Sequence, residues 1–434
     1  MPVSFGKRLR IFLPFALGYF LSYLYRAINA VLAPNLSGDM GLSPAELGLL
    51  TAVYFISFGA FQLPLGILLD RYGPRRIEAA LLIAAAAGAL LFARAGSLPV
   101  LVIGRALIGF GVSACLMAAF KAFVVWFPPE QLPRINGFQM AAGGMGALAA
   151  TAPVEAAMAV TDWRGMFTML SLLTAGVAAV IFFVVPERRP PREAPGRDLR
   201  FSEQVRGIGA VFGSTAFWRI APWAALSQAT LMSIQGLWAG PWLRDVGGLD
   251  RARAAGVLFW VAVAMVAGFI LLGAAAERLN RRGVSPMTLA GAGMGAFMTV
   301  LLAIILSGFQ DPPGRSGLLF SPGSTGLWIL FGFFGTSGIL PYAILTQSFP
   351  AHLAGRVNTA LNLLVFVAAF AAQWGIGAII QGWEGWAGST GGPGHGVRGY
   401  PAAFGVMLAL QMAALLWFGI AGRRGGGTPR DHLC

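Results

Sequence analysis

The chain has 434 residues, 57% of them hydrophobic and only 11% charged, where a soluble globular chain is nearer a quarter charged. Its formal net charge of +14 is spread over short loops between apolar runs, with no patch or tail, which argues against nucleic-acid binding. Two cysteines, Cys115 and Cys434, give no disulfide framework, and three histidines (His352, His395 and His432) give no metal spacing.

About twenty apolar residues cross a bilayer as a helix. Runs of that kind are expected at 11–35, 47–69, 77–94, 98–123, 135–159, 163–185, 217–243, 254–276, 285–308, 325–349, 357–381 and 401–421. The basic N-terminus (Lys7, Arg8, Arg10) followed by apolar residues is shaped like a signal peptide. The run is long, contains Arg26 and has no small-residue cleavage site, so it reads as a retained first span. Between the sixth and seventh runs lies a Pro-, Arg- and Glu-containing linker, with a short surface helix expected around Ser202–Phe212. The stretch Gly382–Tyr400 is Gly-rich with Trp383 and Trp386 and reads as a flexible outer loop with interfacial anchors.

With the N-terminus inside, twenty Lys and Arg fall in inner loops, against seven outside (Arg94, Arg164, Arg244, Arg251, Arg253, Arg315 and Arg398). That asymmetry puts both termini in the cytoplasm. The domain reading is 1–185 for a first six-helix bundle, 186–216 for a cytoplasmic linker, 217–421 for a second bundle and 422–434 for a cytoplasmic tail.

The second run ends in Gly66-Ile-Leu-Leu-Asp70-Arg71-Tyr-Gly73-Pro-Arg75-Arg76, and a weaker copy, Gly273 to Gly283 with Glu277, Arg278, Arg281 and Arg282, lies 207 residues on. The same offset aligns Pro34 with Pro241, Leu36 with Leu243 and Gly41-Leu42 with Gly248-Leu249. At an offset of 222, Phe127-Pro128 aligns with Phe349-Pro350, Arg134 with Arg356 and Asn136 with Asn358. The chain is therefore read as an all-α membrane protein of twelve transmembrane helices in two six-helix bundles. Parallel repeats with a substrate site near the midplane are a known transporter plan.

On the Gly66–Arg76 motif, its copy, and Arg105-Ala-Leu-Ile-Gly109-Phe-Gly111 in the fourth run, the chain resembles the major facilitator superfamily over essentially its whole length. The resemblance implies bundles related by a pseudo-two-fold axis, alternating access by their rocking, and a proton or solute gradient as driver. It also implies a gate role for Asp70, with Gly66, Arg71, Gly73 and Arg75 around it, through hydrogen bonds to a helix N-terminus beginning near Arg356–Asn358. The bland alternative is that Arg71, Arg75 and Arg76 only set topology. Arg105 occupies a position that the resemblance links to proton coupling and helix packing, and Gly109 and Gly111 suggest close helix contact.

Arg26 lies mid-span, where a charge is costly unless paired or hydrated. Tyr19, Ser22, Tyr23, Arg26, Asn29 and Ala30 share one helical face. That face is expected to line the cavity, where the Arg fork can grip a carboxylate or phosphate; the alternative is an internal salt bridge, for example with Glu155. Glu155 is the one acidic residue placed inside a span, and so the candidate protonatable site, or else a solvated edge residue. Lys121 reads as a snorkelling interface charge. In the second half Gln228, Gln235 and Trp238 fall on one face of span seven, with Tyr342 and Gln347 in span ten and Asn362 and Gln373 in span eleven. These neutral groups shape the pocket or join helices. Arg26 aligns with Ser233, so the two halves divide the labour, charge recognition falling to the first.

The expected function is secondary transport of a small anionic organic solute, coupled to protons, in the plasma membrane of a bacterium. The alternative is export of amphipathic or drug-like compounds. The drug-antiporter Gly-Pro pattern is absent from span five, and spans two and eight lack the arginines of nitrate porters. With no catalytic triad, metal spacing or phosphate loop, neither enzyme chemistry nor a cofactor is expected. The partners are the solute, protons and lipid, and the protein is expected to work as a monomer.

Overall fold

Hydrocarbon offers a backbone N–H or C=O no water to bond, so a chain of this composition must satisfy its backbone inside helices. The computed structural model describes residues 5–128, 131–186, 209–280, 282–309, 323–349, 354–390 and 398–424, and among them there is no strand. The helices of the first half are α1 (Phe5–Ala27), α2 (Asn29–Met40), α3 (Pro44–Tyr72), α4 (Pro74–Ala93), α5 (Leu98–Gly111), α6 (Cys115–Trp126), α7 (Leu132–Ala149), α8 (Ala152–Ala157) and α9 (Trp163–Val184). The second half has α10 (Thr215–Ser233), α11 (Arg251–Asn280), α12 (Pro286–Ser307), α13 (Thr325–Gly335), α14 (Leu340–Gln347), α15 (Ala354–Thr390) and α16 (Gly399–Arg424).

All twelve expected runs fall on helix, but not all on unbroken helix. Eight described spans are long and apolar enough to cross a membrane, counting α5 and α6 as one, and α1 with α2 makes a ninth, bent by 49°. The runs 135–159, 217–243 and 325–349 are interrupted. α7 gives way to α8 around Thr151, just before Pro153. α10 passes into two π-helical turns, Ile234–Trp238 and Trp242–Val246. α13 reaches α14 through the tight turn Thr336–Ile339.

Two expectations about loops change. α15 runs on to Thr390, through the first half of the stretch expected as a loop. Gln381, Trp383, Glu384 and Ala387 tolerate helix well enough to outweigh the glycines among them. Of the surface helix expected at Ser202–Phe212, residues 209–212 are helical and 202–208 lie outside the described residues.

Residue contacts divide the chain into two compact units, one of residues 1–42 and 50–204, the other of 43–49 and 205–434. In the first, α4 packs most extensively on α9 and α5, and α1 on α7. Gly88 and Gly104 let α4 and α5 touch backbone to backbone: a Cβ on Gly88 would lie 2.8 Å from the Gly104 carbonyl. In the second, α11 packs on α13 and α10 on α15.

The repeat is visible in local chemistry. Gly41 (φ 63°) and Gly248 (φ 65°) both take the left-handed conformation that glycine adopts without a steric penalty. Two residues after each comes a helix cap. Ser43 Oγ accepts from the Glu46 N–H while Glu46 takes the Ser43 N–H at 2.9 Å, a reciprocal capping box. Asp250 Oδ1 accepts from the Arg253 N–H at 2.8 Å. Each half also joins its first span to its last through an aromatic donor and a carboxylate. The Trp163 indole donates to Asp39 Oδ2 at 2.8 Å, and the Tyr400 hydroxyl to Asp245 Oδ2 at 2.6 Å.

Gly73 joins α3 to α4 at φ 80°, ψ 158°, a region essentially closed to residues with a Cβ. Gly73→Ala is expected to destabilise the protein by about 1–3 kcal/mol. A thermal melt in detergent checks it, and an unshifted midpoint would contradict the backbone argument.

Candidate functional site

The first unit gathers its polar groups where α1 ends. At Ile28 the helix breaks and restarts as α2, and Arg26 occupies the last turn before the break. Arg26 is half-buried. Its guanidinium carbon lies 4.6 Å from the Tyr23 ring centroid and 5.3 Å from that of Phe58. Tyr54 and Tyr19 also act on it electrostatically. Among the described residues no carboxylate pairs with Arg26, and its Nε has no hydrogen-bond partner. The expected alternative, an ion pair with Glu155, is not formed. Glu155 sits half-buried in the first turn of the short α8.

Tyr23 is half-buried and packs edge-on to Tyr19, ring centroids 5.1 Å apart. Both rings rest on Gly143 of α7, where a Cβ would strike them. Asn29 is fully buried, and its Nδ2 donates to Thr51 Oγ1 at 2.9 Å, a bond that ties α2 to α3. Of the expected polar face, then, Tyr23 and Arg26 keep exposure to a ligand and Asn29 is turned to helix packing.

Arg105 is fully buried. One nitrogen donates to the Tyr25 carbonyl at 3.0 Å, while Nε and Nη2 are left without a partner. The guanidinium carbon lies 5.5 Å from the Tyr54 ring centroid and 5.9 Å from that of Phe92. Cation–π contact of this kind recovers part of the lost hydration. Gly109 and Gly111 occupy close approaches as expected, Gly109 against the Tyr54 carbonyl and Gly111 against Ala85 of α4.

Tyr54 was not expected in this role. Its hydroxyl donates to the Ser22 carbonyl at 3.1 Å, and the Arg105 guanidinium lies over its ring. A tyrosine inside an uncharged run carries no signal that separates it from core.

A second residue revises the sequence reading. Glu155 was placed as the one acid inside a span, but Glu78 of α4 is fully buried, and neither carboxylate oxygen has a hydrogen-bond partner. It falls at the start of its run, two residues after the basic loop, where a carboxylate has the sequence signature of a boundary charge. The Gly18 backbone of α1 packs directly on this carboxyl.

At the basic loop, Arg75 donates from Nη1 to the Val185 carbonyl at 3.1 Å and lies over Phe182. The contact places a cation on the C-terminal end of α9, where the helix dipole is negative. Gly66 and Arg71 are exposed. Asp70 is helical, at the end of α3, and its side chain lies outside the described residues, as do those of Glu277 and Gln347.

In the second unit, Gln235 lies buried in the first π turn and Trp238 ends that turn. The Trp238 indole donates to the Gln373 carbonyl at 3.0 Å. The Tyr342 hydroxyl donates to Asn362 Oδ1 at 2.8 Å, which brings together two expected site residues, both half-buried. Gln228, also half-buried, lies against Gly338. Among the described residues no group of His, Cys, Asp and Glu could hold a metal ion.

The Major Facilitator Superfamily model matches residues 15–373. A protein of Cupriavidus necator described as a probable sulfoacetate transporter is 24% identical over 279 residues, 61% of this chain and 64% of that protein. A probable nitrate/nitrite antiporter of Thermus thermophilus is 26% identical over 288 residues, 58% of this chain and 64% of the relative. Both matches span slightly under two thirds of the relative's length. The inward-facing, unoccupied crystal structure of a bacterial homolog of the human lysosomal transporter Spinster superposes with a TM-score of 0.76. It does so at 19% identity, over 97% of this chain and 98% of that one.

Tyr54→Phe removes the donor to Ser22 while keeping the ring, and about 1 kcal/mol of stability should be lost. Tyr54→Ala also removes the face under Arg105, for about 3–5 kcal/mol. Equal melting temperatures for the two variants would deny the ring its place under Arg105.

Proposed function

The chain belongs to the Major Facilitator Superfamily, and from that premise we propose that this integral membrane transporter carries a small organic anion across a bacterial plasma membrane by alternating access, coupled to protons. One observation carries the reading. Arg26 is a cation at a helix break, half-buried, framed by aromatic faces and unmatched by any carboxylate among the described residues. A guanidinium so placed in a span needs a counter-charge, and its planar fork suits a carboxylate or sulfonate. The cargoes named for the two curated relatives are both anions. Tyr23 joins Arg26 in recognition. We assign Gln228, Gln235, Tyr342 and Asn362 of the second unit to the same task as neutral hydrogen-bonding groups. Asp70 and the loop behind it form the gate, with residues 1–185 and 217–421 as the moving bundles and both termini in the cytoplasm. The protein works as a monomer.

A thermal-shift series on the purified chain tests the reading, with sulfoacetate, glucuronate, nitrate and an amphipathic cation as probes. At a hundredfold excess over Kd a ligand adds about 2.7 kcal/mol of apparent stability. Sulfoacetate or glucuronate is expected to stabilise the wild type and to leave Arg26→Ala unchanged. Stabilisation by nitrate alone would replace the organic solute with an inorganic one, and a response only to the amphipathic cation would overturn the anion reading.

Asp70→Asn is expected to keep this stabilisation and to slow turnover in proteoliposomes at least tenfold, about 1.4 kcal/mol on the slow step. Wild-type turnover would remove Asp70 from the gate.

A further inference from the structure

In the second unit, α10 and α16 meet over a cluster of aromatic rings that holds one unanswered cation. Arg219, in the second turn of α10, is half-buried, and its guanidinium carbon lies 5.2 Å from the Phe418 ring centroid of α16. One turn further along α10, Trp223 is buried against the same ring, centroids 5.4 Å apart. Neither Nε of Arg219 nor the Trp223 indole nitrogen has a hydrogen-bond partner. Among the described residues no carboxylate pairs with Arg219, and none stands nearby on the helices around it. α10, α12 and α16 contain no Asp or Glu, and Glu384, the one acid of α15, lies in its last two turns. This face of α10 is rich in donors and short of acceptors. Only Nε of the three guanidinium nitrogens is enclosed without a partner, which leaves the terminal pair to the outside.

The rim of the cluster is aromatic and faces outward. Trp218 and Trp417 are 40% and 49% exposed. Their indoles are oriented by donation to backbone carbonyls, Trp218 to Phe212 at 2.6 Å and Trp417 to Trp218 at 2.8 Å. Behind Trp417, the residues Val406, Leu410 and Ala413 continue one exposed apolar face of α16 at helical spacing. Beside Phe418 the surface is open: a Cβ on Gly419 would meet nothing within 4 Å. Arg219 and Phe418 each stand within three residues of the end of an apolar run, about 5 Å along the helix. Exposed tryptophans gather at that depth, where headgroups meet hydrocarbon.

We propose that this flank of α10 and α16 binds an anionic phospholipid, its phosphate on the terminal nitrogens of Arg219, its headgroup region against Trp218 and Trp417, and an acyl chain along the exposed face of α16. A guanidinium offers parallel N–H donors that match two phosphate oxygens, and basic sites between membrane helices take such headgroups. A free phosphate ion would satisfy the same cation. The apolar face that runs on from the cation selects the lipid, because a free ion has nothing to lay against it. Held there, the lipid joins α10 to α16 at the end where the linker and the tail leave the bundle. With both termini in the cytoplasm, that is the inner leaflet. The site is separate from Arg26 and independent of the solute assigned to it.

Native mass spectrometry of the full chain in detergent tests the site, with dioctanoyl phosphatidylglycerol, dioctanoyl phosphatidylcholine and inorganic phosphate as probes. The wild type should bind its first phosphatidylglycerol about fivefold more tightly than phosphatidylcholine, the worth of one cation at an anionic surface. Arg219→Gln should erase that preference, and Arg94→Gln, which removes an exposed arginine of the first unit, should leave it intact. Equal affinities in the wild type overturn the phosphate site and leave an aromatic anchor. A preference that survives Arg219→Gln, or that falls equally in Arg94→Gln, removes Arg219 from the site. Inorganic phosphate that binds as tightly as phosphatidylglycerol and displaces it overturns the lipid in favour of a free ion. Trp417→Ala, at an exposed position, decides the matter should Arg219→Gln not fold. It should weaken phosphatidylglycerol about threefold, the worth of one aromatic contact, and an unchanged affinity overturns the site.

Discussion

Two guanidinium groups act on one tyrosine, and the first unit depends on how their charge is held. Arg26 and Arg105 lie on α1 and α5, yet both act on Tyr54 of α3, whose hydroxyl in turn grips α1 at Ser22. Neither has a carboxylate. Arg105 is supported by a backbone carbonyl and two ring faces, a dry arrangement that fixes three helices and leaves no room for a ligand. Arg26 has the ring faces but retains exposure. The same side-chain chemistry thus serves as a structural pin in one place and as an open receptor in the other, and the difference lies in burial and in the one carbonyl that Arg105 reaches.

The break in α1 makes this possible. A helix end leaves carbonyls without an intrahelical partner, and Tyr25, in the last turn before the break, accepts from Arg105, while Ser22, inside the helix, accepts from Tyr54. A matching departure occurs in the second half. Subtracting 207 from the first π turn, Ile234–Trp238, lands on residues 27–31, across the α1–α2 junction. Both halves abandon regular α geometry at the same place, one by a bend and the other by a wider turn, and the residue before each is the pair Arg26 and Ser233. Wide turns of this kind recur at functional sites. The repeat has kept the discontinuity, along with the Gly41 and Gly248 turns and the caps that follow them, while replacing the charge.

Much of this was legible in the sequence because bilayer constraints are strong and local. The apolar runs, the mid-span Arg26 and the glycines at helix crossings follow from the cost of exposing charge or backbone to hydrocarbon. Three features escaped for identifiable reasons. The breaks at Thr151, in α10 and at Thr336 depend on packing as much as on proline, so periodicity carried the helices through them. Tyr54 sat in an uncharged run, where nothing distinguishes a ring that faces a cation from one that faces core. Glu78, two residues past an arginine pair, resembled a boundary charge, and only the close approach of Gly18 reveals it as interior. Periodicity grouped Asn29 with Arg26 correctly by face but could not show that the break turns Asn29 toward Thr51.

The bend at Ile28 also divides one span into two mechanical pieces. α2 has 12 residues, about 18 Å at the helical rise, and meets α1 at a bend where Ile28 still donates to the Leu24 carbonyl and accepts from the Leu32 N–H. Tilting a rod of that length by about a tenth of a radian would displace the far end by about 2 Å, while the near end, where Asn29 is bonded to Thr51, would scarcely move. The far end carries Asp39, held to the Trp163 indole. That hydrogen bond, with the Arg164 contact to Met40 Sδ one residue further on, acts at the far end of the lever, where a small tilt moves the helix most.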